Sequence, residues 1–272
     1  IESASHGATL DNLAVHDNGR HGIFVDSRLV HLEASSVYRN GAIGVDVVST
    51  GAPQAVIGDS DLTAQRGNLV YENGEDGISA SGNVLVAGNT VAKNGNVGIR
   101  LAAGADALRN VVRQHTTGIS ALLSTSQIRE NRSYQNTDTG IEASFASLLQ
   151  ENVTYSNDVY GIHVTWFDGR IDHNLIYDTG DTSMVIEGAA SGAVVENNTI
   201  YEPCAGNTFE PPPGTTTIEI PWRWEIDLTE FEPLWVFPLR LEGTAQIVFH
   251  APLGLDDGGT FSLGPGGGLG AL

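Results

Sequence analysis

Three residues of the types that move protons hold the same place in a recurring phrase of this sequence. Arg100, Glu142 and His163 each directly follow a Gly-Ile dipeptide, and those dipeptides begin at Gly98, Gly140 and Gly161. If each repeat adds one parallel strand to a sheet, Glu142 and His163 lie on neighbouring strands, roughly 5 Å apart at backbone level. A carboxylate beside an imidazole could abstract a proton from a uronic acid, with Arg100 or a bound cation pairing the sugar carboxylate. Arg100, Glu142 and His163 are therefore the candidate catalytic residues of a polysaccharide lyase or glycoside hydrolase. The rest of the row reads Phe24, Asp46, Ser79, Ser120 and Val185. A solvent-facing row also collects charges for solubility alone, so this pattern has a reading without catalysis.

A second recurrence is aromatic. Of the seven tyrosines, Tyr38, Tyr71, Tyr134, Tyr155, Tyr177 and Tyr201 occupy one place in the repeat, and Val15, Ala92 and Arg113 fill it elsewhere. An outward stripe of rings could stack on sugars, with the hydroxyls adding hydrogen bonds. Tyr71, Tyr134, Tyr155 and Tyr177, with nearby Trp166, are the candidate carbohydrate-binding residues. The competing reading is that the rings pack on one another and stabilise the sheet. His16 with His21, and His163 with His173, lack a third ligand at metal-site spacing, so no metal centre is assigned. Asp59 and Asp61 are weak candidates for calcium, the one cofactor considered.

These residues are positioned by a repeat. Gly-Ile or Gly-Val recurs at Gly22, Gly44, Gly77, Gly98, Gly118, Gly140 and Gly161, at intervals of 22, 33, 21, 20, 22 and 21 residues. Upstream of it stands an asparagine at Asn12, Asn68, Asn89, Asn110, Asn131, Asn152, Asn174 and Asn198, with Ser35 in the remaining place. A further polar row follows five residues later at Asn40, Asn73, Asn94, Asn136 and Asn157, with His115 and Thr179 substituting. Short runs of Val, Ile and Thr broken by Gly, Asn and Asp suit strands that turn every few residues. A leucine-rich repeat of similar period needs several leucines per unit, and "ENVTYSNDVYGIHV" has none. The spacing predicts an all-β right-handed parallel β-helix of about nine coils over residues 1–202, its handedness following the rule for parallel crossovers. Asn68, Asn89, Asn110, Asn131, Asn152 and Asn174 would form a structural ladder, amide to amide, at the bends. Residues 48 to 67 enlarge one coil and are expected to protrude as a loop.

Composition narrows the partners. The chain of 272 residues carries 33 acidic and 13 basic residues, a formal charge of −20, which repels a nucleic-acid backbone. No apolar run approaches the length of a membrane span, so membrane insertion is not expected. Cys204 is the single cysteine, which rules out an internal disulfide. Repeat-like sequence begins almost at Ile1, as expected of a processed chain or a fragment.

The phrases "GNTVAKNGNVGI", "ENVTYSNDVYGI" and "ENNTIYEP" make residues 8 to 202 resemble the parallel β-helix repeat family, which includes pectate lyase-like enzymes and bacterial surface proteins. The resemblance implies the fold and records coil architecture rather than chemistry. Polygalacturonases of this fold carry an Asn-Thr-Asp element, a paired aspartate, a Gly-His-Gly and an Arg-Ile-Lys in that order. Asn136-Thr137-Asp138 matches the first, Asp256-Asp257 lies outside the coils, and the other two are missing. The Asp-Pro-His signature of alginate epimerases is absent as well. The expectation is a secreted or cell-surface bacterial module with a structural or adhesive role that binds polysaccharide along the tyrosine face, with a lyase or hydrolase as the alternative.

After Tyr201 the asparagine rows stop. Residues 203–217 have the Pro and Gly content of a linker or cap transition. From Ile218 to Leu228 apolar and polar residues alternate strictly, and Trp222, Trp224 and Trp235 fall in this region. Residues 218–263 are expected to form a C-terminal β cap or a segment for self-association, followed by a flexible Gly-rich tail over 264–272.

Overall fold

The computed structural model describes residues 2–3, 8–26, 30–49, 51–52, 54–59, 66–188 and 192–201, and also, as strands alone, 224–227, 246–250 and 260–262. The chain divides into two units, Ile1–Pro203 and Cys204–Leu272.

In the first unit the chain winds through three parallel sheets of nine strands each, so each coil contributes one strand to every sheet. The seventh coil shows the pattern: Thr139–Phe145 in the first sheet, Leu148–Gln150 in the second and Val153–Tyr155 in the third. Alternation decides what faces inward. The isoleucine of each Gly-Ile pair points into the coil, and Ile23, Ile78, Ile99, Ile119, Ile141 and Ile162 are fully buried one above another. Val37, Val70, Val91 and Val112 do the same in the third sheet. β-branched side chains suit this stack, because each packs on its equivalent in the next coil without rotamer adjustment.

The corners explain the asparagines. A residue in the left-handed region stands immediately before every ladder position except Asn68, as at Arg109 (φ 52°), Glu130 (56°), Glu151 (56°) and His173 (56°). The bend leaves backbone groups that no strand can pair, and the asparagine satisfies them. Asn131 Oδ1 accepts both the Asn110 backbone N–H (2.9 Å) and the Asn110 Nδ2 (3.0 Å). Its own Nδ2 donates to Asn152 Oδ1 (3.1 Å) and to the carbonyls of Ala107 (3.1 Å) and Arg129 (2.9 Å). The same link joins Asn68 to Asn89, Asn89 to Asn110, Asn152 to Asn174 and Asn174 to Asn198. The second row is built alike, through Asn40, Asn73 and Asn94 and then through Asn136 and Asn157. These amides crowd the Gly-Ile turns: a Cβ on Gly140 would lie 2.6 Å from the Gly161 carbonyl and 2.7 Å from Asn157 Nδ2.

Two expected places in the first coil are off by one residue. The ladder position is Leu13, whose N–H donates to Ser35 Oγ at 3.0 Å, while Asn12 is the exposed left-handed residue before it (φ 53°). Asn18 then begins the second row, donating to Asn40. Val15 accordingly lies in the core, and His16 takes its expected place in the tyrosine row. Asparagine is favoured both in the ladder and in the left-handed bend before it, so residue type alone does not separate the two.

Against the next coil, the enlarged coil has extra residues in two places, between Ser49 and Ala55 and, in greater number, between Gly58 and Asn68, so the span 48 to 67 expected to protrude as one loop instead contains the sheet strand Ala55–Gly58. Residues 60–65, Asp61 among them, lie outside the described residues. Arg66 ties this insertion back, donating to Asp11 Oδ1 (2.8 Å) and Glu33 Oε1 (2.9 Å). In the second unit, Trp224–Asp227 pairs parallel with Gln246–His250, which pairs antiparallel with Thr260–Ser262. The expected linker over 203–217, the tail over 264–272, and Trp222 and Trp235 lie outside the described residues. Among the described residues no helix is long and apolar enough to cross a membrane.

Candidate functional site

The first sheet aligns the expected chemical row. Register pairs Ser79 with Arg100, Arg100 with Ser120, Ser120 with Glu142, Glu142 with His163 and His163 with Val185. Glu142 and His163 are thus neighbours on adjacent coils, both half-buried on the outer face. The His163 ring lies 5.0 Å from the Tyr160 ring, tilted by 44°, and its Nε2 lies 3.8 Å from Glu187 Oε2.

Arg100 is on the row but is committed elsewhere. Its Nε and Nη2 grip the buried carboxylate of Asp76 at 2.5 and 3.2 Å, and that carboxylate also accepts the Val97 N–H at 3.0 Å. The hydrogen bond to Asp76 raises the guanidinium pKa against the opposing effect of burial, with the charges of Asp76 and Glu142 adding to the rise. A side chain in such a fork is a structural brace, and recruiting it to a sugar carboxylate would strand Asp76 as a buried charge. Between Arg100 and Glu142, Ser120 is 1% exposed, and its hydroxyl has no hydrogen-bond partner.

Three residues beyond this row runs a second feature that the sequence pattern did not reveal as a set. Ala103, Leu123, Phe145, Trp166 and Gly188 each adopt a left-handed conformation, with φ between 51° and 62°. Leu123 is 81% exposed, Phe145 38% and Trp166 72%, on three successive coils. Bulky residues adopt this region at a cost of about 1 kcal/mol or more each, so the conformation marks a place where the chain is over-determined. Register shifts at this point: Phe145 pairs with Phe167, which leaves Trp166 as an extra residue. A bulge of this kind re-aims a side chain, and here it turns an indole outward. The one sequence trace of it is the Asn152–Asn174 interval of 22 residues after four of 21. At about 3.3 Å per residue, the apolar ridge runs roughly 10 Å from the polar row and parallel to it.

The tyrosine stripe is aligned in the third sheet, but its ring faces meet one another. Tyr38 and Tyr71 stack with centroids 4.8 Å apart, Tyr134 and Tyr155 at 4.6 Å, and Tyr155 and Tyr177 at 4.9 Å, all within 8° of parallel. His16 extends the first stack on Tyr38 at 4.8 Å. Tyr155 has both faces covered, and burial raises the pKa of Tyr177. Asp59, expected as a calcium ligand, is buried and accepts the Arg66 N–H at 3.0 Å. It borders a shallow hollow of about 390 Å³ lined also by Leu69, Thr90 and Arg109. Among the described residues, no three His, Cys, Asp or Glu side chains are grouped to hold a metal ion.

A family model described as a right-handed beta helix region matches residues 1–169 and 78–209. Among solved structures, the A-module of the Azotobacter vinelandii mannuronan C-5 epimerase AlgE4 is similar with a TM-score of 0.52 at 15% identity, over 73% of this chain and 59% of that one. A mutant of the periplasmic alginate epimerase AlgG has a TM-score of 0.51 at 15% identity, over 72% of this chain and 46% of that one. The chain therefore spans less than two thirds of either protein, and at these identities the likeness is one of fold. No curated protein sequence matches the chain.

Proposed function

We propose that this chain, which belongs to the right-handed β-helix family, serves as a structural or adhesive module of a secreted or cell-surface protein. In this reading it binds a polysaccharide along the outer face of the first sheet. The observation that carries the reading is the exposed ridge of Leu123, Phe145 and Trp166 beside the row of Ser120, Glu142 and His163. Large apolar side chains held in water on successive coils mark an interaction site. The C–H face of a pyranose suits an indole, and its hydroxyls suit the polar row. Strands of successive coils are about 4.8 Å apart, close to the length of one sugar in an extended chain, so a glycan along the axis would meet an equivalent position at each coil. The alginate epimerases of the same fold are consistent with a polysaccharide ligand. The self-stacked tyrosines are assigned to stability.

The test is calorimetry against a glycan panel with the intact chain, Trp166→Ala and Tyr155→Ala. Trp166→Ala should weaken binding at least tenfold, about 1.4 kcal/mol, and Tyr155→Ala should leave it unchanged. Undiminished binding by Trp166→Ala, or binding to no glycan, would overturn the proposal. The direct pairing of Glu142 with His163 supports a second reading, a lyase. That reading requires an unsaturated product from an acidic glycan, lost in Glu142→Gln.

A further inference from the structure

Resting on that reading, we infer that the glycan taken by this face is uncharged or carries amino groups and is not a polyuronate. The outer rows of the first sheet present Glu142 and Glu187 on the coils of the ridge and the one after it, with Asp46 and Asp26 four and five coils from Glu142. The loops entering its strands add Asp138, Asp158 and Asp181, exposed or half-buried on three successive coils. Against these, the only arginine or lysine in the described part of the outer rows is Arg100, whose charge is spent on Asp76, and the loop cations Arg20, Arg39 and Lys93 enter earlier coils than those of Asp138, Asp158 and Asp181. His163, if protonated, faces Glu187.

A polyuronate lying here would place a carboxylate at every coil over a strip that already carries unneutralised carboxylates. The repulsion acts within a Debye length, about 8 Å at physiological salt, so the sugar cannot escape it by shifting one coil. A neutral sugar avoids the penalty, and an ammonium group gains from Glu142 and Glu187. The hydroxyl of Ser120 is an independent sign of a polar, uncharged contact. It sits in the outward row between Arg100 and Glu142, nearly all buried, with no hydrogen-bond partner. Once the side chains that cover it turn aside, a sugar hydroxyl, both donor and acceptor, would satisfy it whichever way its proton points.

The experiment titrates the intact chain with chito-oligosaccharide, manno-oligosaccharide and oligogalacturonate of matched length, at low and high salt. The amino-bearing chain should bind tightest and weaken with salt, and the neutral chain should bind independently of salt. The uronate should bind at least tenfold more weakly than the neutral chain at low salt. Glu142→Gln combined with Glu187→Gln should weaken the amino-bearing chain about tenfold, 1.4 kcal/mol, and spare the neutral one. Oligogalacturonate binding as tightly as the neutral chain would overturn the inference and leave the polysaccharide reading standing. Binding of none of the three would remove that reading itself.

Discussion

Lowering the pH should strain one rung of the second polar row, and the effect can be worked out from the groups around His115. This residue stands where the other coils place an asparagine and is 2% exposed. Asn94 presents its Nδ2 to His115 Nε2 at 3.0 Å, because Asn94 Oδ1 is already accepting from Asn73 (N, 3.0 Å; Nδ2, 2.9 Å). Nε2 must therefore accept, the proton sits on Nδ1, and that buried Nδ1 has no hydrogen-bond partner. Burial lowers the imidazole pKa from 6.5 to about 4, against the raising effects of Asn136 and Asp76 and with a further lowering from Arg113. The unfolded chain consequently binds this proton at a pH where the folded chain does not. Above about 6.5 the group has no effect on the pH dependence, and stability falls as pH drops from there to about 4. Each pH unit in that window is worth about 1.4 kcal/mol, so the full loss is roughly 3 kcal/mol. His115→Asn restores the rung and removes the titration. Urea unfolding of both proteins at about pH 7.5 and about pH 4.5 should show the parent losing roughly 2 to 3 kcal/mol more than the variant. The other titrating groups are common to both proteins and cancel in that difference. Equal losses in the two proteins would refute the reasoning.

Removing one ladder amide should be far more damaging than its size suggests. Asn131→Ala deletes bonds to Asn110, Asn152, Ala107 and Arg129 and leaves buried partners unsatisfied, so urea unfolding should show a loss of about 3 to 5 kcal/mol. A loss below about 1 kcal/mol would mean that water replaces the amide. Tyr155→Ala removes two stacked contacts and should destabilise by roughly 1 to 3 kcal/mol in the same assay. If it abolished glycan binding while the protein remained folded, the stack would have to be reassigned as a binding surface.

Much of this architecture was legible in the linear pattern. The interval of 21 residues, the Gly-Ile phrase and the two polar rows are each produced by a local event, a bend or a strand, that recurs every coil. Side-chain alternation then places Ile141 inside and Glu142 outside without further information. The pattern was ambiguous where one residue type serves two adjacent places, and Asn12 and Val15 were displaced by one for that reason. What periodicity could not decide is which neighbour a side chain spends its interactions on. That Arg100 turns to Asp76, and that the tyrosines cover one another, depends on contacts between coils and on rotamers that no spacing encodes. The exposure of Trp166 arises from a single inserted residue, visible as one interval of 22 but meaningful only once the next coil fixes the register. The sequence by itself therefore determined the scaffold and the order of its rows, because both follow from repeated local geometry. The tertiary structure decided which of those rows remains open to a ligand, because openness depends on what the neighbouring coils already occupy.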